Sequence, residues 1–295
     1  MEKKVNSWLE RMSARHYPVR FLYCVVNVFL DRRISRSGAE FAYYALMTVF
    51  PLLIMVIGII GVLPISDTQV LDVMEAVLPE QIYELLEEYV AYVLNNLSMA
   101  LLITGLISML TAASAAFRSL ISISGEIYCR KVFRGVKYFL FSVLYSILLI
   151  VFIYFTMVIV FTGSWFIQMV NDIFSISIPT KLWNWSRAGI MFGLAMLLLM
   201  LIYRITSPGG KDRPPVASGA LFASLALTLF TWLFSFFITL SNRYSMIYGS
   251  LASIVLLMMW LYFCGTIVIL GVVVNYVRWQ HKRGLEVRYI LEHIL

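Results

Sequence analysis

Residues 98–123 read SMALLITGLISMLTAASAAFRSLISI, with a single charged side chain, Arg118. A helix needs about 20 mostly apolar residues to cross a bilayer, whereas a barrel strand needs about 9–11 residues of strictly alternating character. This stretch is long enough for the first and has no alternation for the second. Five further stretches share its character: 39–63, 138–168, 187–206, 216–240 and 248–277. The third and sixth of the six exceed what the hydrocarbon requires, so they tilt or extend beyond it. The whole chain agrees. Its 295 residues are 61% hydrophobic and 13% charged, against roughly 45–50% and about 25% for a soluble domain. No soluble fold of this size has interior enough to hide that apolar surface. The reading is all-α: a polytopic membrane protein with six transmembrane helices.

Phe21–Leu30 is apolar but too short to span. Ten residues of helix reach about 15 Å, half the hydrocarbon thickness. Flanked by Arg20 and by Asp31, Arg32 and Arg33, it reads as an interfacial helix; the alternative is a soluble helix packed on the bundle. The first apolar run follows five Lys/Arg and no small-residue cleavage site follows it, so no cleavable signal peptide is expected.

Lys and Arg orient the chain. The N-terminal arm, the connection between spans two and three, that between four and five, and the tail together hold nineteen; the opposite side holds three, Lys181, Arg187 and Arg243. Both termini are expected in the cytoplasm. Residues 64–97 carry seven acids and no base. Ile82, Leu85, Leu86, Tyr89, Val93 and Leu97 recur there at helical spacing, and Pro79 suits a first helical position. A shorter helix over about 68–77 precedes it. The organisation is therefore a basic interfacial arm (1–36), a six-helix domain (37–277) with an outer amphipathic helical loop (64–97), and a basic cytoplasmic tail (278–295).

Chemistry-bearing motifs are sparse. Cys24, Cys129 and Cys264 are too far apart for a disulfide framework or metal cluster. His16, His281 and His293 stand in the terminal arms, outside any ligand-like pattern. Walker loop, dinucleotide fingerprint and nucleophile elbow are all missing. No cofactor, no metal and no catalytic residue is expected. The net charge of +7 follows from the positive-inside pattern and suits anionic lipid headgroups on the cytoplasmic side, so membrane lipids are the expected partners and nucleic acid is not. Assembly with further copies of the chain stays open.

Polar residues inside the spans are the functional candidates. Thr104, Ser108, Thr111, Arg118 and Ser122 fall on one helical face. They form either a polar track lining a cavity or a helix–helix interface, where hydroxylated residues are favoured. Arg118 must snorkel or find a partner; Glu40, at similar depth on span one, is the expected ion-pair partner, with an anionic substrate or headgroup as the alternative. Pro51 breaks span one, and Gly58 and Gly61 permit close approach of another span. Asn242 and Asn275 are secondary polar candidates. Trp165, Trp183, Trp185 and Trp279 read as interface anchors, Trp232 and Trp260 as packing residues.

Ala42-Tyr43-Tyr44-Ala45-Leu46 followed by Phe50-Pro51-Leu52-Leu53 resembles the first-span signature of the YihY/BrkB family of bacterial membrane proteins. Tyr248-Gly249-Ser250-Leu251-Ala252, Trp260-Leu261-Tyr262, Gly271 and Asn275 are similar to its last span. Pro214-Pro215, Gly219-Ala220, Phe234 and Phe236 resemble its fifth, and Arg118-Ser119-Leu120-Ile121 its basic second-span segment. The resemblance covers about residues 20–277. It implies a six-helix protein of the bacterial cytoplasmic membrane, from a family associated with virulence and serum resistance that once bore a ribonuclease name. Family members often carry further arginines near Arg118. Here those positions look like Ala115 and Ser122, and Glu40 stands where a small or neutral residue is usual, so only Arg118 is carried over.

The expected function is permease-like and non-enzymatic: transport or flipping of an anionic or lipidic molecule in the cell envelope. Its warrants are the polar face of span two, the buried cation, the proline-broken first span and the lack of an extensive soluble domain. Three spans plus three would place two halves in opposite orientation. The alternative is a non-catalytic scaffold for envelope assembly. A lipid-modifying enzyme or ribonuclease ranks last, because no acid–base pair or metal-ligand group converges.

Overall fold

The structure is a computed structural model. It describes residues 17–60, 98–129, 139–144, 146–148, 151–152, 180–208, 213–240 and 250–283, with isolated positions between 83 and 96. Six helices order them: α1 Tyr17–Asp31, α2 Ile34–Ile60, α3 Met99–Ile127, α4 Thr180–Thr206, α5 Ala217–Leu240 and α6 Ser250–Lys282. The protein is an all-α, multi-pass membrane protein. Among the described residues five helices are long and apolar enough to cross a membrane, those within α2 to α6, and Phe139–Leu148 forms a shorter apolar helix. That short helix opens the expected third span, whose residues 153–168 lie outside the described residues.

Local sequence sets the boundaries. Ser98, in extended conformation, caps α3 by accepting the Leu101 N–H. The α3 C-terminus closes on Cys129, whose φ of 52° is the left-handed value usual for a cap. Pro214 and Pro215 stand just before α5, where proline's missing N–H and fixed φ cost nothing. Pro51 lies inside α2, which continues to Ile60.

α1 is longer than its apolar core of ten residues. At 15 residues it is about 22 Å long, still short of a ~30 Å hydrocarbon layer. Cys24 and Val28 are buried in the main core, while Leu22, Val26 and Leu30 on the other side are exposed. A helix apolar on both sides, with one side packed, is suited to lie between the bundle and lipid.

The main core gathers α1, the second half of α3, the end of α4, the start of α5 and the second half of α6 around Leu120, Ile123, Tyr203, Ala223, Ile269 and Val273. This is the basic end of the bundle. Burial from lipid brings little hydrophobic gain, so close packing must hold such helices together. Glycines provide it. A Cβ on Gly38 would collide with Thr266, one on Gly58 with Leu102, and one on Gly105 would sit 3.0 Å from Ile54 Cγ2. Gly61 lies outside the described residues.

At the other end, positions 83, 87, 89, 90, 92 and 93 are helical. Val90 and Val93 are buried against Leu53, Ile54 and Leu101, so this part of the 64–97 segment docks on α2 and α3. The Tyr89 hydroxyl donates to the Phe50 carbonyl at 3.2 Å, next to Pro51, and the two rings meet edge to face at 5.2 Å. Residues 61–82, including Pro79 and the expected 68–77 helix, lie outside the described residues. Trp232 corrects the expectation of a packing residue: it is 66% exposed and stacks on Phe236 of its own helix. Trp260 is half-buried against the Leu46 and Leu257 cluster.

Candidate functional site

Asn275 is fully buried. Its Oδ1 accepts the Gly219 backbone N–H at 2.7 Å and the Ser218 hydroxyl at 3.1 Å. Gly219 is the third residue of α5, so this N–H belongs to the first turn and has no partner within its own helix. Asn275 therefore caps α5 from α6. The distance requires a close approach. A Cβ on Gly219 would meet Asn275 Nδ2 at 2.5 Å and the Gly271 carbonyl. A Cβ on Gly271 would collide with the Tyr203 hydroxyl, which donates to the Val268 carbonyl at 2.7 Å. Three helices thus meet at one polar crossing. Sequence reasoning named Asn275 but missed Ser218, Gly219 and Tyr203 as its surroundings. The signal was the spacing of Gly271 and Asn275, four residues apart on one face, opposite a glycine four residues past a proline pair.

The polar track of α3 is placed differently from expectation. Thr104, Ser108 and Thr111 do share a face, but all three are exposed. The buried face is the opposite one, with Gly105, Met109, Ala113, Ala116, Leu120 and Ser124. Small residues allow α2 and α3 to approach, and that face turns inward. The two threonine hydroxyls bear exposure because they bond their own helix: Thr104 donates to the Ala100 and Leu101 carbonyls, and Thr111 to those of Ile107 and Ser108. Such back-bonding satisfies a hydroxyl without a second helix.

Toward the basic end the same face becomes half-buried at Arg118 and Ser122. Glu40, the expected partner of Arg118, is exposed on α2, while Arg118 is half-buried on α3. The face of α2 that packs holds Gly38 and Ala42 instead, since close approach to α6 needs small residues there. A buried hydroxyl contact sits beside the track, Ser114 to Ser146 at 3.3 Å, and joins α3 to Phe139–Leu148. Asn242 lies outside the described residues.

At the basic end, Arg32 Nη2 donates to Cys129 Sγ at 3.2 Å. The Tyr128 ring meets Tyr276 at 5.7 Å and Trp279 at 6.1 Å, both edge to face. The Arg283 guanidinium lies 4.2 Å from the Trp279 ring centre, a cation–π contact. Burial pushes the Tyr128 hydroxyl well above its ordinary value. Burial also raises the Cys24 thiol, an effect that nearby Arg20 opposes. Among the described residues no three His, Cys, Asp or Glu side chains converge as a metal site would require.

The comparisons with known proteins fit this architecture. YfkH of Bacillus subtilis, named a ribonuclease-like protein, is 30% identical over 256 residues, covering 84% of this chain and 90% of its own length. A UPF0761 membrane protein of Xanthomonas axonopodis pv. citri is 23% identical over 91% of this chain, which spans 63% of that longer protein. A UPF0761 membrane protein of Glaesserella parasuis is 37% identical over 82 residues. No solved structure matches. The model of the family described as virulence factor BrkB matches residues 25–288, taking in α2 to α6 and the Gly219–Asn275 crossing; the chain belongs to that family.

Proposed function

We propose that this protein is a non-enzymatic, permease-like component of the bacterial cytoplasmic membrane that flips an anionic lipidic molecule, with both termini in the cytoplasm. One observation carries the reading: the line of Thr104, Ser108 and Thr111 runs along the exposed side of α3 and leads to half-buried Arg118. A headgroup crossing hydrocarbon has nothing to bond with. A hydroxyl line on the side of a bundle offers successive lone pairs, while the acyl chains stay in lipid. The cation at its end attracts negative charge, and Ser122 lies one turn further on. The orientation rests on the nineteen-to-three division of Lys and Arg. It puts the arm (1–36) and tail (278–295) against the anionic cytoplasmic leaflet and the loop (64–97) outside.

Proteoliposomes test this. A fluorescent anionic phospholipid in the inner leaflet should become accessible to an impermeant quencher faster with protein than without. Arg118→Gln should cut the gain roughly tenfold, the scale of one lost charge-assisted contact. Equal rates with and without protein would refute the proposal. A scaffold for envelope assembly is the second reading, favoured by Thr104 and Thr111 being bonded to their own helix. The ribonuclease-like name of YfkH is not extended to this chain, whose described residues bring no catalytic group together.

A further inference from the structure

Among the described residues, four side-chain polar atoms around the basic end are buried with no hydrogen-bond partner: Asn27 Nδ2, Arg32 Nε, Trp279 Nε1 and Gln280 Oε1. A buried polar atom left without a partner is destabilising, a charged group more so, so four in one region call for an explanation. Asn27 lies on α1, Arg32 in the turn after it, and Trp279 and Gln280 in the last turn of α6. Arg32, Trp279 and Gln280 are linked by a chain of contacts, and Asn27 stands on α1 five residues before Arg32. Arg32 reaches Cys129, and Tyr276 lies within electrostatic range of Arg32, Cys129 and Cys24 and beside the Gln280 amide. Tyr128, next to Cys129, touches the rings of Tyr276 and Trp279.

The chemistry is that of a phosphate site. Three of the four atoms are N–H donors, and one belongs to a guanidinium. The Nη2 partner of that guanidinium is a thiol, a weak acceptor, which orients it without neutralising it. Arg20, Arg33, Arg278, Lys282 and Arg283 stand around the region, and the nearby acids, Asp31 and Glu126, are exposed. The backbone is also committed here. The two non-glycine residues of positive φ among those described, Arg33 at 47° and Cys129 at 52°, flank the Arg32–Cys129 contact. Beside the donors, Leu22, Val26 and Leu30 expose an apolar side of α1 on which acyl chains can lie.

We propose that Asn27, Arg32, Trp279 and Gln280 bind the phosphate headgroup of an anionic phospholipid, with its chains against α1. Arg32 and the two neutral donors take the phosphate oxygens, and Gln280 Oε1 accepts a headgroup hydroxyl. This site is separate from the Arg118 track and stands whether or not that track moves lipid.

Full-length protein in detergent, mixed with equal phosphatidylglycerol and phosphatidylcholine, should retain phosphatidylglycerol preferentially in native mass spectrometry. Trp279→Phe keeps the ring but removes its N–H, and Asn27→Leu removes the amide. Together they should weaken phosphatidylglycerol retention roughly tenfold in protein that stays monodisperse. Arg32→Lys, which keeps the charge and removes Nε, should weaken it too and does not depend on the double variant folding. Equal retention of both lipids, or unchanged retention in Arg32→Lys and in the double variant, overturns the site. Displacement of the lipid by millimolar inorganic phosphate assigns the site to a free anion and overturns the lipid as its ligand.

Discussion

The Asn275 side-chain carbonyl lies 2.7 Å from the Gly219 backbone nitrogen and completes the first turn of a helix to which Asn275 does not belong. Asn275→Ala leaves that N–H buried and unpaired. It should lower stability in detergent by about 1–3 kcal/mol, seen as a lower thermal unfolding midpoint. Ser218→Ala removes only the longer of the two bonds and should cost about 0.5–1.5 kcal/mol. A midpoint in Asn275→Ala equal to wild type would contradict the cap.

Glycines of α4 and α5 should respond in opposite directions. A methyl at Gly219 meets Asn275 Nδ2 and the Gly271 backbone, and backbone cannot yield as a flexible side chain does. Gly219→Ala should destabilise by about 1–3 kcal/mol or abolish recovery of folded protein. Gly189 and Gly193 have nothing within 4 Å of an added Cβ, so alanine there should be neutral or stabilise by up to about 1 kcal/mol through helix propensity. Thermal unfolding of the three variants side by side decides this; equal effects would count against the crossing.

Two cysteines should separate by reactivity. Cys129 is exposed, and Cys24 is 2% exposed with its thiol raised by burial. A raised thiol holds less thiolate, the reactive form, at a given pH. Maleimide at about pH 8 should label a variant holding Cys129 alone within minutes and one holding Cys24 alone only after unfolding. The proposed orientation adds a second readout. An impermeant reagent should label Glu84→Cys in whole cells and Cys129 only after permeabilisation; the reverse pattern would overturn the topology.

Tyr89 ties its helical segment to α2 beside Pro51. Tyr89→Phe keeps the edge-to-face ring contact and removes the hydroxyl bond to Phe50, so a loss of about 0.5–1.5 kcal/mol is expected. Tyr89→Ala removes both and should cost more. Protease accessibility of residues 83–96 should rise in the same order. Unchanged cleavage in Tyr89→Ala would show that Val90 and Val93 hold the segment alone.

Spans were legible because hydrocarbon imposes a length and a composition on any helix that crosses it. Residues 98–123 announced α3, and the apolar run 216–240 announced α5. Asn275 was legible as an intramembrane polar residue, but its partner was not: the Gly219 N–H becomes available only because α5 begins there and only glycines let α6 come so near. The facing of α3 was misread for a related reason. Its hydroxyl stripe and its small-residue stripe are both plain in the sequence, and both are known to favour helix contact.

The sequence by itself determined that the chain is a bundle of membrane-crossing helices and which positions are polar, since transfer into lipid depends on each residue alone. Only the tertiary structure decided which stripe of α3 faces inward, that Glu40 lies exposed on α2, and that Asn275 caps α5. Lipid makes no strong choice between two apolar faces. The choice falls to short-range fit between particular side chains, where Gly58 meets Leu102 and Gly105 meets Ile54, and that fit exists only once two helices are side by side.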